Sequence, residues 1–190
     1  IFIVTISDPN ANVALGTNTT HTYTIQDNDD PPEVQFNATA SSSTEGTNGT
    51  LKVDLSAASG KDITVDYAVQ VATTATGGGT DYTLADGTLT ISAGSTTENI
   101  TLAGVDDALD EDDETVIVLL SNPTNSSLGT NATHTFTIDD NDATPTIQFN
   151  ATSASYAEAT ENHTIAVDLS AAAGRDISVA YTLTDGTPVA

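Results

Sequence analysis

The stretch His134-Thr135-Phe136-Thr137-Ile138-Asp139-Asp140-Asn141-Asp142 repeats, with small changes, His21-Thr22-Tyr23-Thr24-Ile25-Gln26-Asp27-Asn28-Asp29. An alternating β-pattern runs into acids, and its return about 113 residues later marks a tandem array of like domains. Outward from it, Leu15-Gly16-Thr17 returns as Leu128-Gly129-Thr130, and Val34-Gln35-Phe36-Asn37-Ala38-Thr39 as Ile147-Gln148-Phe149-Asn150-Ala151-Thr152. Asp54-Leu55-Ser56 returns as Asp168-Leu169-Ser170. The 190 residues therefore divide into the C-terminal strands of one repeat (1–30), a complete repeat (31–143) and the N-terminal strands of a third (144–190). A period of this size suits one domain with its own core, whereas the flanking pieces are too short to bury one. The natural chain is expected to continue at both ends.

Within the complete repeat, short runs rich in Val, Ile, Thr and Tyr predict strands over 33–38, 49–56, 63–69, 87–92, 97–103, 115–121 and 133–139. Leu51, Val53 and Leu55 alternate inward, as do Ile63, Val65, Tyr67 and Val69. Gly60, Gly77-Gly78-Gly79, Gly94 and Asn122-Pro123 punctuate the turns, and no segment has helical periodicity. About seven strands in such a length predict an all-β fold of tandem immunoglobulin-like antiparallel sandwiches.

The formal charge is −24, and only Lys52, Lys61 and Arg175 are positive. Such a field disfavours nucleic acid and anionic membrane surfaces as partners, and no apolar run is long enough for membrane insertion. Without cysteine there are no disulfides and no thiol chemistry. Asp106-Asp107-Ala108-Leu109-Asp110-Glu111-Asp112-Asp113-Glu114 places seven acids in nine residues, with no base beside them. Carboxylates 4–6 Å apart repel by roughly 0.7–1 kcal/mol per pair even at the dielectric of water. Ca2+ relieves this, because it takes six to eight oxygen ligands; a solvated acidic loop is the plain alternative. In a seven-strand sandwich the 106–114 loop, Glu45, Asp81 and the strand end Asp139–Asp142 can meet at one pole. That convergence favours the ion.

Glu45-Gly46, Gly79-Thr80-Asp81-Tyr82, Gly87-Thr88-Leu89, Asp106-Asp107 with Glu111 and Glu114-Thr115, and the closing Asp139-Asp140-Asn141-Asp142 together resemble the Calx-beta domain. The resemblance covers about 33–142, and the flanking pieces match that domain's last and first strands. It implies an immunoglobulin-like sandwich with a calcium site at the pole where the last strand exits. The ligands it implies are Glu45, Asp81, Asp106, Asp107, Glu111, Asp140 and Asp142, with a carbonyl near Leu109. Asp27 and Asp29 are the counterparts in the first repeat, and Glu158, or else Glu161, in the third. Asn141 stands where an acid is usual, and Glu114 reads as structural. A cadherin-like repeat is a minor alternative, on Asp27-Asn28-Asp29-Asp30-Pro31-Pro32.

Asn-x-Ser/Thr sequons begin at Asn18, Asn37, Asn48, Asn99, Asn125, Asn131, Asn150 and Asn162 and are candidate glycosylation sites. His21 and His134 share one repeat position and are expected on a strand surface. Acids without an aromatic cleft or a nucleophile–base pair do not suggest an enzyme. The expected role is a calcium-stiffened structural or adhesive spacer in a repetitive extracellular, cell-surface or filament protein. Its partners would be neighbouring repeats, copies of itself in a polymer, or a cell-surface adhesion partner. A calcium-sensing regulatory module and a fibre-forming subunit are the alternatives.

Overall fold

Alternation of apolar and polar residues sets every long strand of the complete repeat. In Gly49–Leu55 the buried positions are Gly49, Leu51, Val53 and Leu55, and in Glu114–Thr124 they are Val116, Val118 and Leu120. The computed structural model describes residues 1–7, 10–157 and 162–186, and it divides into two compact units, Ile1–Pro31 and Pro32–Ala190.

The first unit is one antiparallel hairpin, β1 (Phe2–Thr5) with β2 (Thr20–Tyr23), in which Phe2 faces Tyr23 with ring centroids 5.2 Å apart. In the repeat alignment this pair corresponds to Val116 and Phe136, which face each other in the complete repeat. The fragment thus keeps its parent register.

In the second unit follow β3 (Glu33–Phe36), β4 (Ala40–Thr44), β5 (Gly49–Leu55), β6 (Ile63–Val69), β7 (Tyr82–Thr83), β8 (Gly87–Ile91) and β9 (Thr97–Gly104). The repeat closes with β10 (Glu114–Thr124), β11 (Ser127–Leu128) and β12 (Thr133–Asp139). Two five-stranded sheets form, ordered β4-β12-β10-β6-β8 and β11-β3-β5-β9-β7. Their inner faces enclose one core, with Phe36, Phe136, Leu51, Ile63, Ile91 and Leu102 its largest fully buried side chains. Gly49 leaves room for the Phe136 ring, which a Cβ there would meet at 2.5 Å. Every strand expected from the sequence is present.

The structure adds three elements to that expectation: β4, β7 and β11. The chain bends between β3 and β4, leaving one sheet for the other. His134 on β12 holds the bend: its Nδ1 lies 2.7 Å from the Ala38 carbonyl and its Nε2 2.8 Å from Ser41 Oγ. The ring is 3% exposed and packs against Phe36. This corrects the expectation of a surface histidine: the imidazole is buried while bonding the Ala38 carbonyl and the Ser41 hydroxyl across the bend.

The third repeat begins with β13 (Ile147–Phe149) and β14 (Val167–Leu169), paired so that Ile147 faces Leu169, as Val34 faces Leu55 in the complete repeat. Its apolar face lines an open groove of about 700 Å³ that holds none of the clustered acids.

Candidate metal centre

Strand pairing brings the acids together. β4 runs parallel to β12 with Thr44 beside Asp139, so the next residues, Glu45 and Asp140, emerge side by side at one pole. β9 ends and β10 begins at the same pole, since Glu114 faces Ile138, and the 106–114 loop spans the gap. β7 pairs with the end of β9, Tyr82 facing Gly104, and the Val105 N–H donates to the Asp81 carbonyl at 2.9 Å. Three connections and a strand end converge.

Backbone bonds hold this arrangement. The Glu45 N–H donates to the Asp139 carbonyl at 3.0 Å, and the Gly46 N–H to the Val105 carbonyl at 3.2 Å. Gly46 has φ +72°, and a Cβ there would lie 2.7 Å from the Asp106 Cβ. Only glycine permits both the turn and the approach of Asp106. Glu45 Oε1 accepts from the Asp107 N–H at 3.1 Å, Asp107 Oδ1 from the Leu109 N–H at 2.8 Å, and Asp113 Oδ1 from the Asp140 N–H at 3.1 Å. Asn141 Nδ2 donates to Asp106 Oδ1 at 3.1 Å. At this position the amide bridges an acid instead of adding a charge.

Two carboxylate groups result. Glu45, Asp140 and Asp142 offer oxygens within 4.8 Å of one another, and so do Asp81, Glu111 and Glu114. Asp81 is 8% exposed, and its carboxylate also accepts from the Thr76 N–H. Burial, then the charges of Asp140 and Asp107, raises the Asp142 carboxyl. Glu111 is raised by burial and then by Asp107 and Asp81. Glu45 is raised by burial and by the charges of Asp107 and Asp142, partly offset by the Asp107 N–H. Glu114 is pushed up to about 7 by burial, then by its hydrogen bond with Asp81 and the charges of Asp81 and Glu111. Glu114 is the residue that sequence reasoning set aside. Its place on the strand start facing Ile138 puts it inside the pole, and its nearness to Glu111 in sequence was the available signal.

A divalent cation fits these residues. Among the described residues Asp142 Oδ2 is buried without a hydrogen-bond partner, an arrangement that costs free energy unless a cation approaches it. The donors are all oxygen, the preference of a hard ion such as calcium.

The other predicted residues fare differently. Asp106 and Asp107 belong to the pole but lie outside the two tight groups. Asp27 and Asp29 follow β2 in the first unit, exposed, with the Asp29 N–H turned onto Asp27 Oδ1; no third acid joins them among the described residues. Glu158 and Glu161 lie outside the described residues. The acid knot does have a basic partner: Arg175 reaches Asp110 and Asp112, because the turn between the second and third predicted strands of the next repeat lies against the loop. Of the sequons, Asn37 and Asn150 donate their amides to the equivalent acids Asp54 and Asp168, and Asn125 donates to the Asp62 carbonyl. Asn18, Asn48, Asn99 and Asn162 are exposed, and Asn131 is half-buried.

Fold and site define a two-sheet β-sandwich with a carboxylate-lined pole at the exit of its last strand. The family model of the Calx-beta domain matches residues 27–142 and again 139–190, and the chain belongs to that family. Calx-beta domains are calcium-binding modules. The apo form of the Calx CBD1 domain superposes with a TM-score of 0.53 at 23% identity, covering 58% of this chain and 98% of that one. CBD12 from CALX1.2 gives 0.53 at 24% identity, covering 58% of this chain and 44% of that one. The calcium binding domain CBD12 of CALX1.1 gives 0.53 at 24%, with 58% and 45% covered. These likenesses establish the fold. A search of curated proteins gives no match.

Proposed function

We propose that this chain is a calcium-binding run of tandem Calx-beta domains that serves as a calcium-stiffened spacer in a repetitive cell-surface protein. The observation that carries the calcium reading is the buried, unpartnered Asp142 Oδ2 beside two groups of oxygens drawn from four segments. Glu45, Asp140 and Asp142 would hold one ion, and Asp81, Glu111 and Glu114 another, with Asp106 and Asp107 lining the pole. Bound calcium supplies positive charge where the carboxylates repel. The chain's own part is to present acids from the 106–114 loop, the β4 end and the β12 end at one place, so that the linker beginning at Ala143 is anchored on both sides. The extracellular placement is supported by the sequon-rich composition. The spacer role is supported by the successive matches along one chain.

A sensing role is the second reading. It is favoured by the contact of the 106–114 loop with the following repeat, through which occupancy of the pole would be felt next door. Calorimetric melting of the chain in millimolar calcium and in chelator tests the common core of both. At calcium one hundred times the dissociation constant the stabilisation is about 2.7 kcal/mol per ion site, a rise of roughly 10 °C or more for a domain of this size. Identical melting in both conditions would rule calcium out.

A further inference from the structure

We propose that β4 is an association edge, through which two copies of this chain pair antiparallel, side by side, with Ser42 at the two-fold axis. The Thr135 N–H donates to the Thr39 carbonyl at 2.9 Å, and the Glu45 N–H to the Asp139 carbonyl at 3.0 Å. Main-chain groups alternate sides along a strand, so residues 39, 41, 43 and 45 face β12 while Ala40, Ser42 and Thr44 face away from it. β4 is the last strand of its sheet, and all three of those residues are exposed. Among the described residues their N–H groups have no partner, nor have the Ala40 and Ser42 carbonyls; the Thr44 carbonyl accepts from the Thr47 N–H at 3.0 Å. A row of main-chain donors and acceptors is thus open to one more strand.

Such an edge is a template for pairing unless lysine, proline, a bulge or a covering segment blunts it. Ala40-Ser41-Ser42-Ser43-Thr44 has no charge and no proline, and its register with β12 runs unbroken over five pairs. The edges of the other sheet, β7 and β11, are only two residues long. The third repeat carries Ser153-Ala154-Ser155-Tyr156-Ala157 at the same place, again without charge or proline, so the feature belongs to the repeat. Charge selects the occupant and its direction. A chain at −24 repels its own copies from most approaches, yet this edge is neutral, and the nearest acid, Glu45, follows its C-terminal end. Antiparallel pairing sets Glu45 opposite Thr39 of the second copy and keeps the two acid poles at opposite ends. Parallel pairing would set the poles side by side. About the two-fold axis Ser42 exchanges both main-chain bonds with its counterpart, and Ala40 meets Thr44. Two five-stranded sheets become one. A five-residue pairing covers far less than the roughly 1,200 Å² at which stable interfaces begin. Each contact is therefore weak, and successive repeats add to it by avidity.

The test uses the whole chain at an ionic strength of about 0.15 M, where charges are screened beyond about 8 Å. Sedimentation from about 10 μM to about 1 mM should show reversible dimers that grow with concentration. Over that range the amides of Ser42 and Thr44 should exchange roughly threefold more slowly, while those of Ser43 and Glu45 hold constant. Ser42→Pro removes an outward donor and no bond to β12, and Ser42→Glu sets like charges face to face. Each should weaken association severalfold and leave the melting temperature of the dilute chain where it is. The chain has no cysteine of its own, so Ser42→Cys reports the axis directly. Main-chain partners in such a pair lie about 5.5 Å apart, within reach of a disulfide. Mild oxidation should link Ser42→Cys into a covalent dimer far faster than Thr101→Cys, which is exposed on the other sheet. A chain that stays monomeric throughout the range overturns the proposal. So does association that Ser42→Pro and Ser42→Glu leave intact, or equal cross-linking at the two cysteines.

Discussion

Glu114 carries the strongest titration signal of the pole. Its pKa rises from 4.5 to about 7 through burial, its bond with Asp81, and nearby negative charge. A carboxyl with a higher pKa folded than unfolded favours folding at low pH, and that contribution fades as pH climbs from 4.5 through about 7. Discounted for the solvent that reaches Glu114, the loss is about 1–2 kcal/mol. In chelator, melting temperature should therefore fall between pH 5 and 7.5, and Glu114→Gln should flatten the trend. A native profile that rises across this window would contradict the raised Glu114 pKa. Gly46 offers a second check at this scale. Gly46→Ala forces a side chain onto Asp106 at a positive φ, with an expected loss of about 1–2 kcal/mol and weaker calcium binding by titration calorimetry. Single residues were also where the sequence was hardest to read. His134 resembles any exposed strand histidine, and nothing in Gly174-Arg175-Asp176 tells that it meets an acid more than sixty residues away.

At the scale of elements, the strands with buried alternating faces were legible because period-two burial writes itself into Val, Leu and Ile positions. β4 was not. Its sequence Ala40-Ser41-Ser42-Ser43-Thr44 buries almost nothing and is held by main-chain pairing to β12 and by the His134 bend. Hydropathy carries no record of such an edge strand. His134→Ala removes both bonds at the bend, leaving the Ala38 carbonyl and Ser41 hydroxyl unpaired. The expected cost is about 1–3 kcal/mol, with faster amide exchange at residues 40–44. If hydrogen exchange there is unchanged, the imidazole does not hold the strand. The acids were legible as clusters, but which of them meet depends on the parallel β4–β12 register, which no local pattern encodes.

For the whole molecule, repetition made the architecture readable, since the same register recurs in the fragments on either side. The contact between the complete repeat and the next was not readable, because it rests on one arginine and one buried aspartate from separate repeats. Pairing of β4 with β12 has a mechanical consequence as well. The chain enters the complete repeat through β3, which bends into β4, and leaves from β12; β4 and β12 lie parallel along five residue pairs. Tension along a string of such modules drags these neighbours lengthwise in opposite directions. All their rungs then bear the load together, and none can be peeled off singly. Single-molecule stretching should show a high, sharp rupture force for this module. Ser43→Pro, which deletes an N–H that the β4–β12 register turns toward β12, should lower that force far more than it lowers the melting temperature.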